Sequence, residues 1–525
     1  MSKTTLFANL NIPSKHSQRL NSLLVEDAKI SFLGDLDQAR MNASNPMTEI
    51  DLGGKTVLPG LCDFHLHLAN TAEKLDAVDC ETDSLQECLD RVALKAQNSP
   101  AGEWIIGYGW NHNAWEPAEY GTASQLDAIS NQHPVFLHAK SLHAAWVNII
   151  AMRIAGIDRN MPDPEGGLIL RDPSGEPTGI LLENAAFLAS DLLPKPSAEQ
   201  TAKKILKAQA FFHSLGLTSV HDFDRFESAE ALLRLADQGL LKLRVSKNLP
   251  SEEVERVIEE NWREKLTRPP FIRPGWLKVF ADGALGPQSA AMLEPYEGST
   301  NKGMLLLNAA DLAKLGIKAA LAGWPLSVHA IGDRAVREVL DGYSLLRQME
   351  LEHHLTPLPQ RIEHVQIIHP DDMQRMRELG IIASVQPIHA ASDMFTADHY
   401  WGKRCEHAYA YQSLLSYGID VRFGSDAPVE SPDPFLGIHA SVTRQRQNGQ
   451  PNPQGWYPQQ RVTLQQAIDA YTQPLPGNGK TALLEKGMPA DFIVLDQDPF
   501  QIDPGELAEL KPCMTVVAGE VVFSR

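Results

Sequence analysis

Cysteine is scarce in this 525-residue chain, which contains only five, with no CxxC spacing between any two of them. An odd number of scattered cysteines argues against a disulfide framework and against a cysteine zinc site, so a reducing, cytoplasmic compartment is expected. The five are Cys62, Cys80, Cys88, Cys405 and Cys513.

Long apolar runs and an excess of positive charge are missing as well. No stretch of about 18 apolar residues occurs, so no membrane span is expected, and the N-terminal segment lacks the apolar core of a secretory signal. The net charge is −19, from 47 basic and 66 acidic residues. That sign argues against nucleic acid and anionic membranes as partners, and a small-molecule substrate is expected instead. Nothing in the sequence indicates the oligomeric state.

Short apolar segments alternate with helical stretches through residues 57–486, which is typical of βα repeats around a parallel sheet. Eight such units predict a distorted (β/α)8 TIM barrel, an α/β fold whose active site forms at the carboxyl ends of the strands. The eight predicted strands are TVLPGLCDF from Thr56, TSVHDF from Thr218, KLRVSKN from Lys242, WLKVFAD from Trp276, LSVHAI from Leu326, RIEHVQI from Arg361, IIASVQP from Ile381 and IDVRFGSD from Ile419.

Two further parts complete the predicted fold. Residues 1–56 and 487–525 alternate apolar and polar residues, as short strands do, yet neither end can form a core alone. We therefore expect both ends to pair into one composite β-sandwich. Residues 70–200 separate the first two barrel strands and mix helix and strand patterns, which predicts an α/β insertion domain over the barrel mouth.

The tripeptide His65-Leu66-His67 closes the first predicted barrel strand. Side chains two positions apart point to the same side of a strand, so both imidazoles can converge on one metal ion. Two ordinary histidines are the alternative interpretation. The position at the carboxyl end of an apolar strand favours the metal site.

Three further histidines end later predicted strands. His329 in SVHAIGD and His364 in RIEHVQ match the first pair in position, which favours a shared metal site over core or surface histidines. His221 in SVHDF occupies a similar position, and we interpret it as a structural residue or as one that supports a ligand.

Two charged residues follow or lie in predicted strands. Asp426 in FGSDAP can bind a metal and accept a proton from water, although a turn or N-cap aspartate is the alternative. Lys278 lies in the apolar segment WLKVFADG, where burial favours the neutral amine. A neutral amine can react with CO2 to form a carbamate ligand, and pairing with a carboxylate such as Asp282 is the alternative.

The motifs together resemble one known family. LPGLCDFHLHL, KVFADGALG, SVHAIGDRAV, RIEHVQ, SVQPIH and FGSDAPVESPDPFLGIHASVTR follow one another as in the amidohydrolase superfamily. Within it they are most similar to amidohydrolase family 3, the branch of N-substituted formamide deformylases and of proteins called exoenzyme regulators. The resemblance runs nearly end to end and implies the barrel with its composite β-sandwich.

The resemblance also implies a centre of two zinc ions per chain, with other divalent metals or a single ion left open. His65 and His67 would bind one metal, and His329 and His364 the other. Lys278, carboxylated, would bridge them, and Asp426 would be both ligand and catalytic general base. Candidate substrate-binding residues are Trp115, His143 and His389, with Asn111 and Arg404 interpreted as structural.

The implied activity is hydrolysis of a non-peptide, amide-type carbon–nitrogen bond through a metal-activated hydroxide. A deaminase or a cyclic-amide or ester hydrolase of the same superfamily is the first alternative, because fold does not determine function. The presence of Lys278 argues against a deaminase with one metal. A regulatory or binding protein without catalysis is the second alternative, and it would need no intact ligand set.

Overall fold

The computed structural model describes residues 4–13, 20–44, 47–140, 144–472 and 484–525. The chain forms two compact units, one of Met1–Ala69 with Ile205–Arg525 and one of Asn70–Lys204. Within the described ranges, no helix is long and apolar enough to cross a membrane. All five cysteines are buried and free, and a reducing compartment stays a prediction.

The first unit contains an eight-stranded parallel sheet in sequential order, which we number β1 to β8. Its first and last strands meet where Leu66 bridges to Ala427 in parallel, and the predicted TIM-like barrel is confirmed. The strands are β1 (Leu61–Leu66), β2 (Leu217–Asp222), β3 (Arg244–Pro250), β4 (Ile272–Phe280), β5 (Leu326–Ala330), β6 (Arg361–His364), β7 (Ile382–Val385) and β8 (Val421–Phe423).

One predicted barrel strand is divided into two strands in the structure. The apolar segment from Thr56 divides into Thr56–Pro59, which pairs antiparallel with Phe492–Leu495, and the barrel strand β1. Gly60 separates them, and a Cβ at this position would lie 2.4 Å from the side chain of Thr218. Only glycine permits that approach of backbone to side chain, so the chain changes sheets there.

Helices follow the barrel strands, and several begin at polar caps. The helix after β8, for example, starts with a proline directly after Asp433, whose carboxylate accepts the amide hydrogen of Phe435 at 3.0 Å. The α-helices of this unit are Leu36–Asn42, Phe226–Asp237, Val254–Glu259, Trp262–Lys265, Ala309–Leu321, Asp333–Glu352, Pro370–Glu378, Pro387–Trp401, Tyr411–Ser416, Pro434–Thr443 and Leu464–Ala470.

Both ends of the chain contribute four-stranded sheets to this unit. Side chains of the two sheets share one buried apolar cluster, in which the rings of Phe7 and Phe492 meet edge to face at 4.9 Å between centroids. One sheet consists of Lys29–Gly34, Ser22–Glu26, Thr4–Ala8 and Met47–Asp51, and the other of Glu520–Ser524, Pro512–Val517, Phe492–Leu495 and Thr56–Pro59.

The second unit is a mixed α/β body with its own cores. Its six-stranded sheet has the order Gly167–Arg171, Pro177–Glu183, Ala144–Val147, Val135–Ala139, Ile105–Trp110 and Val78–Asp79. Two buried apolar clusters pack against this sheet. Its helices are Leu85–Gln97, Ala123–Ile129, Ile149–Ile154 and Phe187–Ser190, and the helices Leu68–Asp76 and Ala198–Ser214 contain the unit boundaries.

Candidate metal centre

Histidine and aspartate side chains converge at the carboxyl ends of the barrel strands. His65, His67 and Asp426 form one group, in which one donor atom of each residue lies within 4.8 Å of the others. Asp426 Oδ1 is 3.4 Å from His65 Nε2 and 3.5 Å from His67 Nε2. A second group consists of His364, His389 and the same aspartate. One carboxylate is therefore shared by two sets of imidazole donors.

His65 is held in one orientation by its neighbours. Its Nδ1 donates to Glu363 Oε2 at 2.7 Å, and its ring stacks on Phe223 with centroids 3.9 Å apart. Burial, helped by the positive charge of Lys278, lowers the pKa of His65 to about 4. The imidazole is therefore neutral, with the lone pair of Nε2 on the side of Asp426, as a metal ligand requires.

Glu363 is the charged partner that orients His65. Its carboxylate accepts from Ser327 Oγ and lies 2.8 Å from Arg361 Nη2, with both members of the ion pair buried. Burial alone would raise the pKa of Glu363, but Arg361 and His65 hold it well below the ordinary value. The carboxylate thus stays ionised behind the histidine and fixes its tautomer.

His67 is oriented in the same way from the other side. Its Nδ1 is 3.3 Å from Asp224 Oδ1, and Asp224 Oδ2 accepts the amide hydrogen of Ala69 at 2.6 Å. Burial lowers the pKa of His67, but the hydrogen bonds to Asp224 and Asp426 outweigh it and raise the pKa to about 9. A cation is therefore favoured at the position between the two carboxylates.

His364 and His329 approach the centre from β6 and β5. His364 Nδ1 donates to Gln386 Oε1 at 2.8 Å, and burial holds its pKa well below the ordinary value. The ring centroid of His329 lies 4.6 Å from that of His364, and its Nε2 donates to the carbonyl of Gly283 at 2.9 Å. Among the described residues, no group of three close donor atoms includes His329.

Lys278 is buried at the same end of the barrel. Its Nζ lies 4.9 Å from the ring centroid of Phe223, and it forms no hydrogen bond or ion pair with any residue of the described ranges. Asp282 instead accepts backbone amide hydrogens of Ala291, Ile331 and Gly332. The alternative pairing of Lys278 with Asp282 is therefore wrong. Burial lowers the pKa of Lys278 to about 8, so the neutral fraction near neutral pH is larger than that of an exposed lysine.

Asp426 occupies a strained position directly after β8. Its φ of 60° lies in the left-handed region, at a cost of about 1–3 kcal/mol for a residue with a side chain. Its amide donates to the carbonyl of His65 at 2.7 Å. Burial raises its pKa, but His65, His67 and His364 together bring it well below the ordinary value. The hydrogen bond to the His65 carbonyl thus keeps this strained residue, with its ionised carboxylate, among the imidazoles.

Local contacts describe the other candidate residues that lie within the described ranges. His221 is buried with Nδ1 at 2.8 Å from Arg361 Nη1, as expected of a structural histidine. Trp115 is 3% exposed in a core cluster of the second unit and donates to the carbonyl of Thr82, so packing within that unit accounts for its position. His143 lies outside the described residues. Asn111 and Arg404 form local hydrogen bonds, which agrees with the structural interpretation of both residues.

Sequence reasoning missed the residues that orient the ligands. The charged residues of β6, in RIEH, interrupt a buried apolar strand, and that unusual placement was the available signal for Glu363. Asp224, Gln366 and Gln386 carry no comparable signal because nothing in their spacing shows which histidine each one contacts.

The donor set fits a divalent transition metal. Neutral imidazoles and a carboxylate are the ligands that zinc and its neighbours prefer. The buried Nε2 of His389 has no hydrogen-bond partner among the described residues, which indicates that a group from outside the chain, a metal ion or a substrate atom, binds beside it.

Comparison with known proteins agrees with this site. The sequence model of the amidohydrolase family matches residues 48–523. YtcJ of Bacillus subtilis (strain 168), which carries the name of an amidohydrolase, is 33% identical over 97% of this chain and 97% of its own. The N-substituted formamide deformylase of Arthrobacter pascens is 29% identical over 99% of this chain and 97% of its own.

A solved structure extends the likeness to three dimensions. The crystal structure of an uncharacterized metal-dependent hydrolase from Pyrococcus furiosus has a TM-score of 0.76 and 28% identity, and the match covers 95% of this chain and 100% of that one. The chain therefore belongs to the amidohydrolase family and is a metal-dependent hydrolase that acts on carbon–nitrogen bonds.

Proposed function

We propose that this enzyme hydrolyses an amide-type, non-peptide bond in a small molecule, with N-substituted formamides as the first substrate class to test. The observation that carries the proposal is the ionised Asp426 carboxylate, which has donor atoms of His65 and His67 within 4.8 Å in one group and of His364 in another. Similarity to a formamide deformylase over nearly the whole length of both chains supports the substrate class. The products would be a carboxylic acid and an amine.

Two zinc ions per chain are the proposed cofactor. His65 and His67 would hold one ion, and His364 and His329 the other, with Asp426 as a further ligand. His329 Nε2 donates to Gly283, so Nδ1 would be its ligand atom. Bound zinc lowers the pKa of water and polarises a carbonyl oxygen.

Asp426 is the proposed catalytic base. Its carboxylate is ionised and can therefore accept a proton from the attacking water. As the bond from carbon to water oxygen forms and the bond from carbon to nitrogen breaks, Asp426 passes that proton to the leaving nitrogen. The backbone hydrogen bond from Asp426 to the carbonyl of His65, at 2.7 Å, holds the base in place.

Lys278 is proposed to carry a carbamate. Its neutral amine would react with CO2 to give a carbamate and release a proton, placing a negative charge beside the histidines. The pKa of about 8 and the lack of an ion pair among the described residues support this assignment.

Three domains are proposed for the chain. The two four-stranded sheets with their shared core would form a composite β-sandwich of residues 1–56 and 487–525. Residues 57–486 would contain the catalytic barrel, interrupted by an insertion domain at 70–200. The compact unit Asn70–Lys204 supports the limits of that insertion.

The function is tested with metal-depleted protein. Chelation is expected to abolish hydrolysis across a panel of N-aryl and N-alkyl formamides and acetamides, and zinc with bicarbonate to restore it. Elemental analysis of the reloaded protein should give about two ions per chain. Turnover that persists without metal, or hydrolysis of none of these amides alongside release of ammonia from amino-heterocycles, would contradict the proposal.

Carboxylation of Lys278 is tested directly by labelling. Protein reloaded with zinc in 13C-bicarbonate should show a carbamate carbon resonance by NMR, and a Lys278→Ala variant should lack it. Since the variant loses a charged ligand, we expect its metal content to fall and its kcat to drop at least about 10²-fold. A Lys302→Ala variant, which removes a lysine bound only to the carbonyl of Leu293, serves as the control. Full activity of Lys278→Ala with both ions bound would exclude the carbamate.

A further inference from the structure

His389 lies in the first turn of the helix Pro387–Trp401, directly after β7. It is 7% exposed, and one of its ring nitrogens lies within 4.8 Å of donor atoms of His364 and Asp426. Its ring is parallel to that of His364, with centroids 6.4 Å apart. The side chain therefore belongs to the centre, although the proposed ligand set does not use it.

The contact between His389 and Gln366 indicates which ring nitrogen of His389 carries the hydrogen. Gln366 Nε2 lies 3.5 Å from His389 Nδ1, while Gln366 Oε1 is buried without a partner among the described residues. Because an amide nitrogen can only donate, Nδ1 accepts and the ring proton is on Nε2. That Nε2–H is buried and finds no acceptor in the described part of the chain.

His364 has the opposite arrangement. Gln386 presents its amide oxygen, which accepts from His364 Nδ1 at 2.8 Å, so the lone pair of His364 is on Nε2. Two neighbouring histidines are thus set in opposite tautomers by two glutamines. One offers a lone pair, which a metal ion needs, and the other offers a hydrogen-bond donor, which a metal ion cannot use.

We propose that His389 is a catalytic residue whose Nε2–H binds the carbonyl oxygen of the scissile amide, with Gln366 as its positioning residue. The inference deepens the proposed function and rests on it. An oriented donor near Asp426 stabilises the negative charge that develops on that oxygen as water adds to the carbonyl carbon. A substrate would then present a planar acyl group whose oxygen reaches His389 at the buried end of the site.

Removal of the Nε2–H donor of His389 tests its catalytic role. In the zinc-loaded enzyme, His389→Ala is expected to lower kcat for a formamide such as N-phenylformamide by about 10²–10³-fold. KM and the zinc content should change little. His389→Gln, which returns an amide N–H to the same side, should recover part of kcat. Loss of one ion per chain from His389→Ala, as expected for His364→Ala, would show that His389 is a ligand and overturn the proposal, and so would an unchanged kcat.

Gln366 and Gln386 provide a matched pair of variants that tests the positioning role of Gln366. Gln366→Met removes the group that sets the His389 tautomer, so kcat should fall about 3- to 10-fold with zinc affinity unchanged. Gln386→Met disturbs His364 and should weaken zinc binding by about 10- to 100-fold. Equal loss of zinc in both variants would contradict opposite roles for the histidines.

A readout without substrate separates this inference from the proposed function. In zinc-loaded protein with 15N-labelled histidine, NMR should show a protonated Nε2 that disappears in His389→Gln. If that signal is present but the wild type hydrolyses no amide, the substrate class fails while the tautomer stands. If Nε2 of His389 carries no proton, the inference itself is wrong.

Discussion

Replacement of Asp426 by asparagine is expected to lower kcat by about 10²- to 10⁴-fold, the usual contribution of a positioned general base. The amide cannot accept the proton of the attacking water. Most of the metal should stay bound, because the histidine donors are untouched and the amide oxygen is still a ligand atom. Steady-state kinetics and elemental analysis of the same preparation measure both quantities.

Asp420→Asn is the matched control for this variant. Asp420 precedes β8 at the opposite end of the strand and pairs with Arg422 at 2.7 Å, so its kcat should stay within about twofold of the wild type. Turnover at the wild-type rate by Asp426→Asn would remove Asp426 from the role of base. If that variant lost all of its metal, Asp426 would act mainly as a metal ligand rather than as the base.

The largest effect on stability is expected for Asp222→Asn. Asp222 Oδ2 lies 2.7 Å from Lys247 Nζ, and both side chains are completely buried beneath the residues that orient His67. Neutralising one partner leaves a buried charge without compensation, so the free energy of unfolding should fall by about 3–5 kcal/mol. Urea denaturation of metal-depleted protein measures the difference without a contribution from metal binding.

A double variant separates charge from packing. In Asp222→Asn with Lys247→Met the second charge is removed too, and the asparagine oxygen can still accept the amide hydrogen of Leu68 that Asp222 accepts at 3.0 Å. Most of the lost stability should return, because replacing both members of a buried pair is often neutral. If the double variant were no more stable than the single one, the loss would come from packing rather than from an isolated charge.

Much of the barrel could be predicted because parallel strands are buried on both faces and form short apolar runs. Each of the eight predicted segments overlaps a barrel strand. The apolar segment from Thr56 predicts one strand, because a continuous apolar run does not show which sheet each half joins. That assignment depends on Phe492–Leu495, which comes from the other end of the chain, and on the space available at Gly60.

The centre was predictable in residue type more than in detail. His65, His67, His364 and Asp426 converge as their places at strand ends indicated. The choice between His329 and His389 as the neighbour of His364 depends on ring orientation, which hydrogen bonds to Gly283 and Gln366 determine. Such contacts join residues far apart in the chain, so spacing along it contains no record of them.

The pairing of Thr56–Pro59 with Phe492–Leu495 also has a consequence for how the chain acquires its structure on the ribosome. At about 5–20 residues per second, the later strand is synthesised on the order of 20 to 90 s after the earlier one. Until then the strand that leads into β1 has no partner on this side, and pairing across so much sequence is slow. Assembly of this terminal sheet should therefore be completed late in synthesis, after the barrel strands have been made, with an unpaired strand edge that chaperones or other nascent chains can bind in the meantime.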